Sequence, residues 1–559
     1  MNRHPDLSSI LHRTIWGLIL PLALAFGSAS SGAETPELLW VAQGVENVVC
    51  LEPIEDIDGD GGADVVFEAY DAGAPQTDHL LCIRGASAGM GEVIWGARPL
   101  GGPSNSGGYG DNCVRIAPDL TGDGVADVVY GAAWGNRSAF ALDGMTGETL
   151  WSFDTYSDSP PSPPESGWVY AIDALPDFTG DDVPEVAFCC GNYNRRVYMA
   201  DGANGAILWN YYIPGPWFEL RYVGDVDGDG LPDLAAGSGD GNDHLVCFSG
   251  PGSGGAPDML WDLPYSETIM TLQRFPDLDE DDLPEIVVGA WDGFVRCHDG
   301  ATGAVHWTSP YLAYVVMRVV VVGDVNDDGH PDVVAGQWDN KVDLLSGADG
   351  TILWTQWVGT LNGGDTWAVD RTADVTGDGI PEVVVGSFDT RIYLMSGANG
   401  EILWDYATGN RLFTVRGTPD LNGNGTPDVV GGTQMIGGSG GRVYALEGRP
   451  PSMAVEEELP LVVAEAGLRC RPNPLPANGG PLRWRVTPPT SGHLELLLIS
   501  ADGRRHLVLA RQAVTGGTTL SGTWKRPARD ATAAATGAYW LRARIDGRAF
   551  ASARVLIIR

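Results

Sequence analysis

Asp374-Val375-Thr376-Gly377-Asp378-Gly379-Ile380-Pro381-Glu382 runs directly into Val383-Val384-Val385-Gly386. Oxygen-bearing side chains stand at alternate positions, Asp374, Thr376 and Asp378, and a carboxylate closes the segment at Glu382. Hard cations such as calcium collect several oxygens from carboxylates, amides and carbonyls, and this spacing places such oxygens around one point. Gly379 permits the sharp turn that the spacing requires. The β-branched run behind it favours a strand. The unit is therefore an acidic loop feeding a strand.

The same nine-residue pattern recurs eight times, at intervals of 46 to 63 residues. Its ligand positions are Asp56, Asp58, Asp60, Asp64; Asp119, Thr121, Asp123, Asp127; Asp177, Thr179, Asp181, Glu185; and Asp225, Asp227, Asp229, Asp233. They continue as Asp277, Asp279, Asp281, Glu285; Asp324, Asn326, Asp328, Asp332; Asp374, Thr376, Asp378, Glu382; and Asp420, Asn422, Asn424, Asp428. Asp182 and Asp282 replace the turn glycine in two loops, and Asp tolerates left-handed backbone better than most residues. The loops at Asp56, Asp225 and Asp277 carry four carboxylates each, whereas the loop at Asp420 carries two and should bind a cation most weakly. An EF-hand would need flanking helices and a Glu three residues further on, and neither is present. Solvated Asp turns would suit a single loop, but not eight in register.

Each loop is followed by a strand, a second strand and turn such as Tyr393 to Gly400, and a third strand ending in Trp, as in Ile402-Leu403-Trp404. With the strand before the loop, this makes four strands per repeat, the content of a propeller blade. The terminal tryptophans are Trp95, Trp151, Trp209, Trp261, Trp307, Trp354 and Trp404, and the eighth repeat stops at Leu446-Glu447-Gly448 without one. Glu37-Leu38-Leu39-Trp40, ahead of the first loop, matches Glu401-Ile402-Leu403-Trp404. The N-terminal strand is expected to complete the last blade and remove an exposed edge. The expected fold is all-β: an eight-bladed propeller over 34–449, a linker over 450–465 and a β-sandwich over 466–559.

Strand alternation assigns the residues four places before each loop to the propeller axis. With Glu219 and Arg318 they give Glu52, Asp173, Glu219 and Asp370 against Arg115, Arg221, Arg318 and Arg416. Balanced charge of this kind points to a structural ring of ion pairs rather than an ion path.

The loop followed by a V-V-x-G strand, as at Asp374 to Gly386, resembles the FG-GAP repeats of integrin α-subunit propellers and of exported bacterial proteins. That resemblance implies calcium held by the first, third, fifth and ninth residues and a backbone carbonyl at the seventh, in a largely structural role. Integrin propellers have seven blades and fewer such loops, so the count here departs from theirs. Ala141-Leu142-Asp143-Gly144-Met145-Thr146-Gly147-Glu148-Thr149-Leu150-Trp151 resembles the tryptophan-docking motif of eight-bladed quinoprotein dehydrogenases, some of which carry an adjacent cysteine pair like Cys189-Cys190. Repeat tryptophans of this kind pack blades and say little about a cofactor, so pyrroloquinoline quinone is not expected. Arg471-Pro472-Asn473-Pro474, Ser500 to Arg504, Gly522-Thr523-Trp524, Gly537 to Trp540 and Val555 to Arg559 resemble Ig-like sorting domains related to the flagellar hook-capping protein, some of which direct type IX secretion.

Composition agrees with this reading. The 559 residues carry a net charge of −39, which excludes nucleic acid as an expected partner. Residues 451–559 hold 15 Lys and Arg against 8 Asp and Glu, so the acidic excess lies wholly in the repeats. Bound cations would relieve its self-repulsion. Arg3 and Arg13, the apolar run Ile15 to Phe26 and Ser31-Gly32-Ala33 form a signal peptide over 1–33. The run is short for a membrane span, and no second one follows. A secreted or surface-attached bacterial monomer is expected.

No zinc-binding His-Glu-x-x-His, phosphate loop or nucleophile elbow occurs, and no catalytic residue is assigned. Aromatic residues follow the second strand of several repeats: Tyr70, Trp134, Tyr193, Trp291, Trp338 and Phe388. The connections between repeats add Tyr109, Trp168, Trp217, Trp357 and Trp367. These loops share the face opposite the acidic loops, where aromatic rings suit sugars or protein anchors; packing between blades is the competing use. Two function classes follow. One is a non-catalytic surface or secreted protein that binds a glycan or protein. The other is a secreted enzyme, either a quinoprotein-like oxidoreductase or a polysaccharide-degrading propeller.

Overall fold

The computed structural model describes the repeat region from 34 to 450, apart from 45–46, 70–77, 99–111, 134–136, 159–166, 192–193, 254, 313–314, 360–363 and 436–440. Beyond it, strands and adjoining residues between 469 and 558 are described. The signal segment 1–33 and the linker from 451 onward lie outside the described residues.

The described chain is all β. The seventh repeat shows the plan, with strands Thr366–Arg371, Val383–Ser387, Arg391–Met395 and Ile402–Ala407 paired antiparallel in that order. The acidic loop joins the first two strands, and the second is buried along its whole length, as its Val-Val-Val run requires. Seven sheets of four strands have this form among the described residues. The eighth is built from Leu412–Thr418, Asp428–Thr433 and Arg442–Glu447, and its fourth strand is Leu38–Gln43 from the other end of the repeats. Leu38 faces Leu446 and Gln43 faces Arg442. Gly89–Met90 of the first repeat then adds to the outer edge of Leu38–Gln43, in parallel.

The first strand of each sheet lies against the first strand of the next, and Leu412–Thr418 of the eighth lies against Val48–Ile54 of the first. The apolar cores sit between neighbouring sheets. One joins the first and second sheets through Val66, Trp95, Val128 and Tyr130. Another joins the eighth to the first through Trp40, Val48, Leu51, Val430 and Val443. This is a propeller-like succession of repeated four-stranded sheets, as the sequence predicts.

Each terminal Trp is the peg between sheets. Trp95 Nε1 donates to the Gly144 carbonyl of the next sheet at 2.8 Å, Trp151 to Gly202 at 2.6 Å and Trp209 to Gly250 at 2.6 Å. Trp261, Trp307, Trp354 and Trp404 repeat the contact with Gly300, Gly347, Gly397 and Gly448. Trp40 completes the series, donating to Gly85 of the first sheet at 2.8 Å. The turn glycine beyond six of the pegs, Trp95 to Trp354 in chain order, is required by contact. Gly147 has φ +72°, and a Cβ there would lie 2.5 Å from the Trp95 ring. Trp404 is fully buried, so Trp404→Ala is expected to cost about 3–5 kcal/mol in urea denaturation, through lost area and the cavity left behind.

The axial ion pairs differ from a simple alternating ring. Glu52 Oε1 accepts from both Arg115 and Arg416, and Glu219 lies 3.4 Å from Arg221. Asp173 and Asp370 instead accept backbone N–H groups of the next sheet, from Tyr222 at 3.0 Å and Gly417 at 3.1 Å. A short side chain beside the neighbouring strand reaches its unpaired amide before it reaches a guanidinium across the axis.

Cys189 and Cys190 are both buried free thiols on one strand. Adjacent strand residues face opposite ways, so Cys189 packs with Trp217 and Leu234 while Cys190 packs with Trp151 and Tyr198. In the C-terminal part, a three-stranded and a five-stranded sheet enclose one core that includes Leu482, Trp484, Leu496 and Leu541. No helix among the described residues is long and apolar enough to cross a membrane.

Candidate metal centres

The eight acidic loops fold alike. The first Asp turns inward and accepts the N–H of the sixth residue: Gly61 to Asp56 at 2.8 Å, Gly230 to Asp225 at 2.8 Å and Gly379 to Asp374 at 2.7 Å. Where Asp182 and Asp282 replace glycine, both adopt φ +68° and make the same bond, to Asp177 and Asp277. The fifth residue accepts the N–H of the seventh, as Asp229 does from Leu231 at 2.8 Å, and even the sparse eighth loop keeps this bond between Asn424 and Thr426. The fifth residue thereby has one oxygen held by backbone, whereas the first Asp has both, as Asp225 accepts from Gly228 at one oxygen and Gly230 at the other.

The ninth residue is the buried floor of every loop. Asp64, Glu185, Asp233, Asp332 and Asp428 are 0 % exposed. Each floor carboxylate accepts the N–H of the loop's second residue, for example Val226 to Asp233 at 2.7 Å and Val375 to Glu382 at 2.7 Å. In five loops it also accepts the N–H of a turn glycine, at Gly85, Gly144, Gly300, Gly347 and Gly448. These glycines offer their carbonyls to the tryptophan pegs. One residue thus couples each of these loops to the docking of the preceding sheet.

In several of these sites the buried floor carboxylate faces mainly like charge. Burial pushes the Asp233 carboxyl up to about 7, and Asp227, Asp225 and Asp229 act in the same direction. Burial likewise raises Asp64 to about 6, Glu382 to about 7 and Asp428 to about 8. Four loops bring three carboxylate oxygens within 4.8 Å of one another: Asp56/Asp58/Asp64, Asp225/Asp227/Asp229, Asp277/Asp279/Glu285 and Asp374/Asp378/Glu382. That oxygen-only donor set fits a hard divalent cation.

In four loops the residue before the turn glycine leans over the rim, and single-loop reasoning missed it. Arg84 reaches Asp58 at 2.5 Å and Asp60 at 3.6 Å in the first loop. Ser346 donates to Asp328 at 3.1 Å, and Glu447 accepts from Asn422, Asn424 and Thr426. Asp299 joins Asp279 and His306 beside the fifth loop. Aligning the repeats on that glycine would have exposed the position as variable in charge.

Tyr70, Tyr109, Trp134 and Tyr193 lie outside the described residues. Trp338 and Trp367 are half-buried and meet edge to face, with centroids 6.4 Å apart. Trp367 stacks on Phe388 at 5.1 Å, and Phe388 is buried under it with Arg411 over its other side. Trp291 and Trp168 are half-buried and Trp217 is fully buried, while Trp357 is 56 % exposed. The structure thus gathers Trp338, Trp367 and Phe388 from adjoining sheets and leaves Trp291 apart.

No curated protein matches the chain significantly. The Saccharomyces cerevisiae Sqt1 structure is 10% identical, with a TM-score of 0.51 over 74% of this chain and 99% of that one, a likeness of fold. The computationally designed Ika8 protein is 16% identical over 74% of this chain and 99% of its own, with a TM-score of 0.48. Within the repeats, residues 324–385, from the sixth acidic loop through the seventh and its following strand, match the FG-GAP-like repeat family.

Proposed function

We propose that the chain is an exported, calcium-loaded eight-bladed β-propeller joined to an Ig-like β-sandwich, and that it acts as a non-catalytic binding module for a glycan or a protein. Calcium is the structural cation in this reading, held at the first, third, fifth and ninth positions of the acidic loops. The observation that carries the binding role is the Trp338–Trp367–Phe388 cluster, at the ends of the strands opposite the acidic loops, with Trp357 exposed at the same end. Half-buried indoles fixed by their neighbours offer flat apolar area at little entropic cost. The match to FG-GAP-like repeats speaks for the same class. The separate packing of Cys189 and Cys190 lends the quinoprotein-like alternative no support.

The test is a glycan array and immobilised-protein capture screen with the calcium-loaded chain. Capture without turnover is expected, and Trp338→Ala with Trp357→Ala should weaken it about tenfold or more, the loss typical of a hot-spot pair. Undiminished capture by a folded double variant would remove this face from consideration. Turnover of a captured polysaccharide would overturn the non-catalytic reading.

A further inference from the structure

Where the inner strands meet, they leave a cavity of about 290 Å³. Four arginines line it, Arg115, Arg221, Arg318 and Arg416, together with Gln273 and the carboxylates Glu52, Asp173 and Asp370. By formal charge the walls are close to balance, but the hydrogen bonds are not distributed that way. One oxygen of Glu52 serves both Arg115 and Arg416. Burial works to raise its carboxyl, yet Arg416 and Arg115 beside it hold it below the usual carboxylate range. Asp173 and Asp370 spend oxygens on backbone amides of the next sheet.

Three guanidinium groups converge on one neutral atom, two of them also beside carboxylates, Arg115 at Glu52 and Arg221 at Glu219. Asn112 Oδ1 accepts from Arg115 at 2.5 Å, Arg221 at 2.6 Å and Arg318 at 2.7 Å. Asn112 stands just ahead of the first strand of the second sheet, Val114–Ala117, and Arg318 belongs to the sixth, so this side chain reaches the opposite side of the ring. Its backbone carbonyl is pinned by the Ile172 N–H at 3.1 Å, and its amide nitrogen is taken by Glu219. Asn112, Arg221 and Arg318 are 6 %, 7 % and 8 % exposed. Arg221 Nη1 is buried with no hydrogen-bond partner among the described residues. A guanidinium fork matches the two oxygens of a carboxylate, and a charged acceptor binds it more strongly than an amide oxygen does. Burying an unmet donor is unfavourable unless a ligand supplies the acceptor.

We propose that this axial cavity is a binding site for a small free carboxylate, held chiefly by Arg221 and Arg318. Its volume sits at the lower end of the range for ligand pockets, which limits the occupant to a compact anion such as a short dicarboxylate. The site is separate from both the acidic loops and the aromatic face.

Calorimetric titration of the calcium-loaded full chain with succinate, at fixed ionic strength, tests the assignment. Succinate is a weak calcium ligand and leaves the loops loaded; succinamide serves as the uncharged control. Saturation at one equivalent by succinate and none by succinamide is expected. Arg221→Gln should weaken succinate about tenfold or more. Gln273→Glu places a carboxylate in the cavity wall without touching the Asn112 contacts, and should weaken it by about as much while the melting temperature holds. The second variant decides the matter should the first fail to fold. Absence of saturation by succinate, equal binding of succinamide, or unchanged succinate binding in folded Gln273→Glu would each overturn the proposal.

Discussion

Stripping calcium from the loaded chain is expected to lower its melting temperature by on the order of 15 °C or more, with recovery on adding calcium back. The loops place 26 carboxylates in ligand positions, and the acids of their own loops push buried floor carboxylates such as Asp233 and Asp428 further up. An ion that binds the folded state alone adds about 2.7 kcal/mol per site at a hundredfold excess over its Kd. The effect should spread beyond the loops. Asp64 holds the Gly85 N–H while Trp40 of the neighbouring sheet holds the Gly85 carbonyl. A floor carboxylate that shifts for want of a cation therefore loosens the peg between sheets. Magnesium should substitute poorly, because it demands stricter octahedral geometry.

The loops should not release together. The eighth has the fewest carboxylates, and the first has Asp58 already engaged by Arg84, so these two should empty first on titration with chelator. Asp227→Ala with Asp229→Ala should lower the calcium-loaded melting temperature more than Asn422→Ala with Asn424→Ala. Asp227, Asp229 and Asn424 are exposed and Asn422 is half-buried, whereas Asp428 is buried and bonded to Leu421 and Gly448, so its loss would also break the fold locally. Differential scanning calorimetry with and without chelator is the measurement. An unchanged melting temperature would falsify the metal reading.

Why the loops and the closure were legible, and the axis was not, follows from what repeats. Alternating carboxylates before a β-branched run need only local backbone geometry, and eight copies make the pattern plain. Trp40 could be placed beside Arg442–Glu447 because its strand shares Glu-x-Leu-Trp with the strand that ends at Trp404. The axial arginines were identified by position, but not what they touch. Asn112 is uncharged and stands ahead of its strand, so no periodicity marks it. Asp173 and Asp370 occupy the same register as Glu52, and one fewer methylene sends them to backbone. Arg84 escaped because it lies outside the nine-residue loop, approaching it through the turn. The aromatic set rested on loop position alone, which cannot separate Phe388, buried beneath Trp367, from Trp357 in solvent.

A chain starting at residue 45 rather than 34 is expected to lose the closed ring and to aggregate. The deleted segment supplies the fourth strand of the eighth sheet, so its loss leaves the amides and carbonyls of Arg442–Glu447 unpaired along one side. Gly89–Met90 loses its partner as well, and the Glu34 carbonyl no longer meets the Asp405 N–H. Trp40 is fully buried against the first sheet, and removing a buried Trp alone costs about 3–5 kcal/mol. What remains is an open β edge beside apolar residues such as Val443, Ala445 and Ile83, a template for pairing with another chain. Light scattering after size exclusion should show oligomers in the truncated protein and a single species in the longer one. A synthetic peptide of residues 34–44, added in trans, should restore the single species, since its strand has one register that buries both Trp40 and Ala42. A truncated chain that stays monomeric and melts where the longer one does would mean that the eighth and first sheets hold together without this strand.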